Sequence, residues 1–454
     1  MRNNYYIELI KHIENELSDW KYYKIVKNKS SIITLYLIFL KFLSDNLNEN
    51  LFGNLIEQYD KNDEFNNEII ARLLHTKKEH NSGLNNTVYE YLKGIQLHLM
   101  PRDFIQIINE IQYIDFTNDA IVEDVADACI YCFGNLFSDS AREAMSQEDM
   151  QLVTCATELL NVETNMSIYD CSCGGGVFLA IATNTESVLY GQELDIDKAV
   201  VAYMICEMKG AKNVNIEVGD VLQNPMTEKF GIIKVDRAIC FPVSSDRLAN
   251  SQKIHKSNNS GELLFGDSNL DSGSWIYARH IIQKLDENGI GVLIAPCSAL
   301  SREGNTKDDR CRLICRNSIN TVIQLPAGMF NTVANLCIII LEKGAENQEQ
   351  KEIQMIDLSS KDGERYFYDS KFLNQIVISN QEIDGVSRMV GAAEIDKHDF
   401  NLTPSLYLRD IGELIMIRER TENMFTQCEE LLKQYHESEE KLYNVIQRYY
   451  RTYE

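Results

Sequence analysis

The apolar positions along this chain keep two different rhythms. Through residue 134 they recur at three- and four-residue spacing, the mark of helices that bury one face. That spacing predicts helices over 5–20, 31–47, 66–74, 87–99, 102–111 and 118–133, with Pro101 placed just inside a helix start. Near Met145 the rhythm changes. After a helix over 151–160, strands predicted at 167–171, 188–193, 214–218, 232–241, 289–296, 319–325 and 334–341 alternate with helices at 177–183, 196–209, 275–285 and 308–318. Such alternation predicts an α/β domain whose mostly parallel sheet is covered on both faces. Residues 244–274 are polar and read as a long loop. A short strand at 352–357 is expected to leave the core, and 387–454 reads as largely helical. Within it, 411–453 is Glu-rich and amphipathic, with Leu414, Met424, Leu431, Leu442 and Ile446 available for one side. That suits a coiled-coil arm or a helix docked on the N-terminal region.

The 454 residues suggest more than one domain, and the change of rhythm divides them. The expected parts are a helical N-terminal domain (1–134), an α/β domain (135–386) and a C-terminal helical region (387–454) that serves as a coiled coil or partner-docking arm. No apolar run reaches the roughly 18 residues of a membrane span. The richest run, 32–43, is broken by Thr34, Tyr36 and Lys41. Charges interrupt the N-terminus, so no signal peptide is expected and the cytoplasm is the expected location. The 12 cysteines are scattered, and the close pairs Cys171/Cys173 and Cys311/Cys315 form no four-ligand set. Buried free thiols are expected, and no metal. The formal net charge of −24 argues against wrapping nucleic acid with the whole surface, since phosphate contact needs local positive charge. A role on DNA would require a basic cleft or a partner that supplies the basic surface.

Candidate chemistry concentrates in residues 169–180, YDCSCGGGVFLA. Three consecutive glycines, Gly174, Gly175 and Gly176, lie between a predicted strand and a predicted helix. In a doubly wound sheet that turn falls where a ligand approaches the carboxyl ends of the strands. The neighbouring strands end on Glu193 and Asp220, and Asp170 closes the first. A carboxylate such as Glu193 can accept from ribose hydroxyls, and one such as Asp220 from an exocyclic amine. No lysine follows the glycines and their spacing is not GxGxxG, so a pyrophosphate fits poorly. A nucleoside with a cationic or zwitterionic tail fits better.

These segments resemble the class I S-adenosylmethionine-dependent methyltransferases, and specifically the adenine-N6 DNA methyltransferases that form the modification (methylase) subunit of type I restriction-modification systems. The turn is similar to D-P-A-C-G-x-G-G-F-L, with Asp170, Cys173, Gly174, Gly176 and Phe178 at matching places. GQELDIDKAVVAYM (191–204) resembles a G-Q-E-x-N segment, and Asp220 in GDVL resembles the acidic residue beside the adenine ring. The stretch 301–344, with its LPAGMF turn, and NLTPSLYL (401–408) match as well. The resemblance covers nearly the whole chain. It implies a Rossmann-like fold with a mostly parallel seven-stranded sheet. It also implies S-adenosyl-L-methionine as cofactor, on Asp170, Cys171, Cys173, Gly174, Gly175, Gly176, Phe178, Glu193 and Asp220. It further implies a protein partner docked on helical termini, a specificity subunit that reads DNA, with self-association through those termini as the alternative.

The reaction segment departs from that pattern. Adenine N6 is a weak nucleophile, and the base must be flipped out and held. The resembled family uses N-P-P-F or N-P-P-Y after the fourth strand: the Asn side chain and a proline carbonyl accept from N6, and the aromatic ring stacks. Counting from Asp236, the catalytic positions here are Phe241, Pro242, Val243 and Ser244. Phenylalanine cannot accept from N6 and serine cannot stack. Residues 143–148 also lack the family's F-x-T-P, and D-P-A-C becomes Asp170-Cys171-Ser172-Cys173. Three readings follow. The first is a degenerate or partner-dependent methylase subunit. The second is a methyltransferase acting on a peptide or small molecule, aided by Cys240, Ser244, Ser245, Asp246 or His255. The third is an active DNA adenine-N6 methyltransferase.

Overall fold

The computed structural model describes residues 2–18, 27–48, 67–80, 85–95, 104–133, 145–184, 186–211, 213–221, 226, 234–242, 273–328, 335–344 and 350–408, with short pieces within 50–57 and 424–442. The chain divides into two units, Met1–Pro404 and Ser405–Glu454.

The first unit is built on one sheet. Its strands are β1 (Ser167–Asp170), β2 (Val188–Glu193), β3 (Asn213–Val218), β4 (Val235–Cys240), β5 (Leu285–Pro296), β6 (Ile319–Gln324), β7 (Leu336–Glu342), β8 (Ile353–Asp357) and β9 (Ser387–Val390). The spatial order is β3-β2-β1-β4-β5-β7-β6-β8-β9. β7 runs antiparallel to both β5 and β6, and β9 antiparallel to β8. The other pairs are parallel. Sequence order reverses between β1 and β4, which places the crevice of a doubly wound sheet beyond their carboxyl ends. This is a Rossmann-like methyltransferase fold with helical extensions. The central strands are apolar on both faces, as a doubly covered sheet requires: Ile338, Ile339 and Ile340 of β7 are all buried.

Among the described residues the sheet has nine strands, against the seven expected. Residues 353–357 do not leave the core: β8 pairs in parallel with β6, Val322 opposite Met355. The stretch from Ser387, expected to be helical, opens with the four-residue strand β9, Val390 opposite Ile353. Two helices without a sequence expectation, Lys361–Tyr368 and Ser370–Ile378, connect β8 to β9. So short an edge strand carries no readable period of its own and exists through its partner.

The N-terminal helices Arg2–Ser18, Lys27–Asn46, Asn67–His80, Asn86–Gly94, Phe104–Gln112 and Asp119–Phe133 form where apolar spacing predicted them. Several dock on the helix Ile196–Met208, whose residues from Ala199 to Met208 are all buried. Phe39 meets Tyr203 edge-on, with ring centroids 6.0 Å apart. Lys77 pairs with the buried Glu207 at 2.6 Å, and Lys209 with Asp127 at 3.0 Å. Tyr91 donates to Asp197, and Asn85 to Glu217. The helical part therefore braces the flank of the sheet that carries β2 and β3.

In the second unit, Met424, Leu431 and Leu442 lie in helical pieces and are exposed. Leu414 and Ile446 lie outside the described residues. Among the described residues, no helix is long and apolar enough to cross a membrane.

Candidate cofactor site and reaction edge

Asp170 ends β1, and the chain turns through Cys171, Ser172, Cys173 and the three glycines into the helix Val177–Ala182. The turn is held by backbone bonds to its neighbour strand. Cys173 N–H donates to the Gln192 carbonyl at 3.0 Å, and Gly176 N–H to the Cys173 carbonyl at 2.8 Å. Gly174 (φ +54°) and Gly176 (φ +80°) adopt the left-handed backbone that favours glycine. Their surroundings differ. A Cβ on Gly176 would stand 2.8 Å from Cα and Cβ of Ala202, so this glycine lets the turn press against the helix Ile196–Met208. A Cβ on Gly174 would meet no atom within 4 Å, so this glycine borders open space.

Glu193 ties the strand ends together. Its Oε2 accepts from Gly174 N–H at 2.9 Å, its Oε1 from Asp195 N–H at 3.0 Å, and its carbonyl from Gly219 N–H at 2.8 Å. Each carboxylate oxygen keeps a second lone pair for a ligand hydroxyl. Gln192, buried beside it, accepts from Met226 N–H at 3.0 Å. Asp220, just past β3, is half-buried.

Asp170 is almost wholly buried, and its Oδ1 accepts from Ser172 N–H at 3.0 Å. Burial pushes its carboxyl up to about 7; the Ser172 hydrogen bond opposes this and the charge of Glu193 adds to it. Cys171 and Cys173 are also buried, with thiols pushed well above their usual range, chiefly by burial. Cys171 lies beside Cys240 of β4, whose sulfur is 3.2 Å from the Ser172 hydroxyl. Among the described residues, no group of three or more His, Cys, Asp or Glu could hold a metal ion.

On the reaction side, Phe241 and Pro242 follow β4 and are buried. The Phe241 ring packs perpendicular to that of Phe178, with centroids 6.4 Å apart and planes at 89°. Phe241 is therefore in contact with the helix that leaves the glycine turn. Val243, Ser244, Ser245, Asp246 and His255 lie outside the described residues.

Residues that sequence reasoning missed stiffen this edge. The Tyr169 hydroxyl of β1 lies 2.9 Å from His280 Nε2 on the helix Ser274–Lys284. Burial, reinforced by Lys284, pulls that imidazole down to about 3 and keeps it neutral. Arg310, fully buried, donates through Nε to the Phe400 carbonyl and through Nη1 to the carbonyls of Ala299 and Arg302, at 3.0, 3.1 and 2.7 Å. Trp275 Nε1 shares the Ala299 carbonyl at 3.0 Å. An arginine in a helix rich in charge gave no signal of such a role.

The family model for N-6 DNA methylases matches residues 149–413, more than half of the chain. The chain belongs to the N-6 DNA methylase family. Within it, the chain is similar to methylase subunits of type I restriction enzymes. It is 25% identical over 402 residues to the MjaVIII methylase subunit of Methanocaldococcus jannaschii, covering 81% of this chain and 68% of that one. Against the MjaVII methylase subunit of the same organism it is 24% identical, covering 91% and 69%. A type I methyltransferase subunit from Streptococcus thermophilus has the same fold, with TM-score 0.64 at 18% identity over 88% of this chain and 98% of that one. At the carboxyl edge of this fold the chain places a glycine turn, acidic residues at or just past the strand ends and the segment that follows β4. Gly174 borders open space at this edge, and its N–H is held by the Glu193 carboxylate.

Proposed function

We propose that this chain is a type I restriction-modification methylase-like subunit that binds S-adenosyl-L-methionine but has lost adenine-N6 catalysis, and that it acts as a degenerate or partner-dependent subunit. The observation that carries the loss is Phe241. A hydrocarbon ring packed on Phe178 stands where an acceptor for the N6 amine is needed. Leaving the amine without that acceptor costs on the order of 1–3 kcal/mol for the unmade bond alone. More is lost if the bond strengthens as the transition state forms.

The cofactor would supply an electrophilic methyl group. The chain's part is to hold it: the glycine turn supplies a floor, Glu193 accepts from ribose hydroxyls, and Asp220 accepts from the adenine amine. Ionised Asp170 would favour a cationic tail. The net charge of −24 supports delegating DNA contact to a basic partner subunit docked on the helical regions.

Calorimetry on the full chain with S-adenosylmethionine tests the first half, and binding is expected. Methyl transfer from labelled cofactor, with the chain assembled with its native partners, tests the second. No label should enter DNA adenine. Transfer to adenine would refute degeneracy, and absence of binding heat would refute the cofactor assignment. Label in a protein or small molecule would move the assignment to a non-adenine acceptor.

A further inference from the structure

The carboxyl edge of the sheet also carries a pair of thiols outside the cofactor site. β5 and β7 pair with Ala295 opposite Cys337 and Pro296 opposite Leu336. The ladder continues one step further, with Cys297 N–H donating to the Asn335 carbonyl at 2.7 Å. Alternation along the strands puts Cys297 and Cys337 on the same face, on a diagonal between neighbouring strands. They are therefore diagonal side-chain neighbours across the β5–β7 ladder.

The two sulfurs are not equivalent. Cys337 is fully buried, and its single S–H has two acceptors in reach, the Ala295 carbonyl at 3.3 Å and the Cys297 sulfur. Cys297 is half-buried and opens the short 3-10 turn Cys297–Leu300. The hydrogen bond from Cys337 holds its thiol below the usual range, against the opposing effects of burial and of Asp357. Cys337 moves the other way, well above its usual range. A thiolate is the nucleophilic form, and access decides whether a reagent meets it. One partner is therefore reachable and the more acidic of the two, while the other is buried. The start of a 3-10 turn can shift to bring the sulfurs into bonding geometry without breaking the β5–β7 ladder.

We propose that Cys297 and Cys337 form a thiol modification site, in which Cys297 reacts with a hydroperoxide and Cys337 resolves the product as a disulfide. The Cys297 thiolate attacks the distal peroxide oxygen. The O–O bond breaks, sulfur is oxidised to a sulfenic acid, and the leaving alkoxide or hydroxide takes a proton. The Cys337 sulfur then attacks the Cys297 sulfur, forming the S–S bond. The sulfenic hydroxyl leaves as water with the Cys337 proton. In sum, two thiols and one hydroperoxide give one disulfide, one alcohol or water, and one further water.

The chain provides its own controls. Cys315 and Cys428 are exposed, so they report on access alone. Cys171 and Cys240 are adjacent but both buried, so they report on proximity without access.

The test treats the reduced full-length chain with equimolar hydrogen peroxide, blocks remaining thiols with iodoacetamide and maps peptides by mass spectrometry. A Cys297–Cys337 cross-link is expected to form ahead of oxidation at Cys315 or Cys428, with Cys171 and Cys240 still reduced. In Cys337→Ser the Cys297 sulfenic acid should persist and be trapped by dimedone. Cys297→Ser should leave Cys337 unmodified. The proposal is overturned if Cys315 or Cys428 is consumed while Cys297 stays reduced. It is equally overturned if dimedone traps Cys297 as strongly in the wild type as in Cys337→Ser.

Discussion

Replacing the two left-handed glycines of the turn separates its packing role from its ligand role. Gly174 and Gly176 hold φ at +54° and +80°, so alanine at either meets left-handed strain of about 1–2 kcal/mol. At Gly174 nothing else is added, because no atom lies within 4 Å of the new Cβ. At Gly176 the Cβ would stand 2.8 Å from Cα and Cβ of Ala202, and backbone cannot swing aside as a side-chain tip can. Overpacking of that kind adds about 1–3 kcal/mol. Gly176→Ala should therefore lose roughly 2–5 kcal/mol and Gly174→Ala roughly 1–2, a gap of about 1–3 kcal/mol. Urea denaturation followed by far-UV circular dichroism measures the gap, with Gly176→Ala showing the lower midpoint. Calorimetry should invert the emphasis. Gly174→Ala stays folded but places a methyl group in the open space, and should weaken S-adenosylmethionine binding by about tenfold or more, equivalent to 1.4 kcal/mol. Equal midpoints for the two variants would refute the packing argument. Unchanged affinity in Gly174→Ala would refute the assignment of the open space to the cofactor.

Three other variants probe the rest of the edge. The Asp170 carboxyl titrates near 7 in the folded chain against 3.8 when unperturbed, so its burial penalty is absent below pH 3.8, grows as pH rises and is complete above 7. Asp170→Asn should gain stability relative to wild type across that interval, on the order of 4 kcal/mol at its upper end; melting curves at pH 5 and pH 8 that keep the same difference would contradict this. Arg310→Met strips three carbonyls of a buried cation and should cost about 3–5 kcal/mol, read from the urea midpoint. A loss under about 1 kcal/mol would show that the hub is dispensable. Phe241→Asn combined with Val243→Pro and Ser244→Tyr restores the resembled motif and should permit methyl transfer to adenine in the partner-assembled protein, at some expense to packing on Phe178. Wild-type transfer equal to that of the triple variant would sink the claim that Phe241 is what abolishes the chemistry.

The boundaries of β2 were legible to the residue, and those of β1, β6 and the helix Ile196–Met208 nearly so. Local periodicity and the glycine turn encode them, and neither depends on distant partners. The same holds for the placement of Asp170 and Glu193 at strand ends and of Asp220 just past one. That Phe241 offers no hydrogen-bond acceptor is also plain from the sequence, because a phenylalanine has none wherever it points. Other features came from residues far apart along the chain. β9 is a strand through Ile353, the N-terminal helices fasten to Tyr203 and Glu207, and Arg310 finds the Phe400 carbonyl 90 residues away.

The two glycines divide along the same line. The sequence by itself determined that a flexible, side-chain-free turn faces the carboxyl edge between acidic strand ends. Only the tertiary structure decided that Gly176 is spent on contact with Ala202 while Gly174 borders open space. It likewise brought Cys297 against Cys337 and turned Phe241 onto Phe178. Backbone freedom and hydrogen-bonding capacity belong to residue types. Which atoms occupy the space beside them is set by strands and helices that meet only when the whole sheet closes.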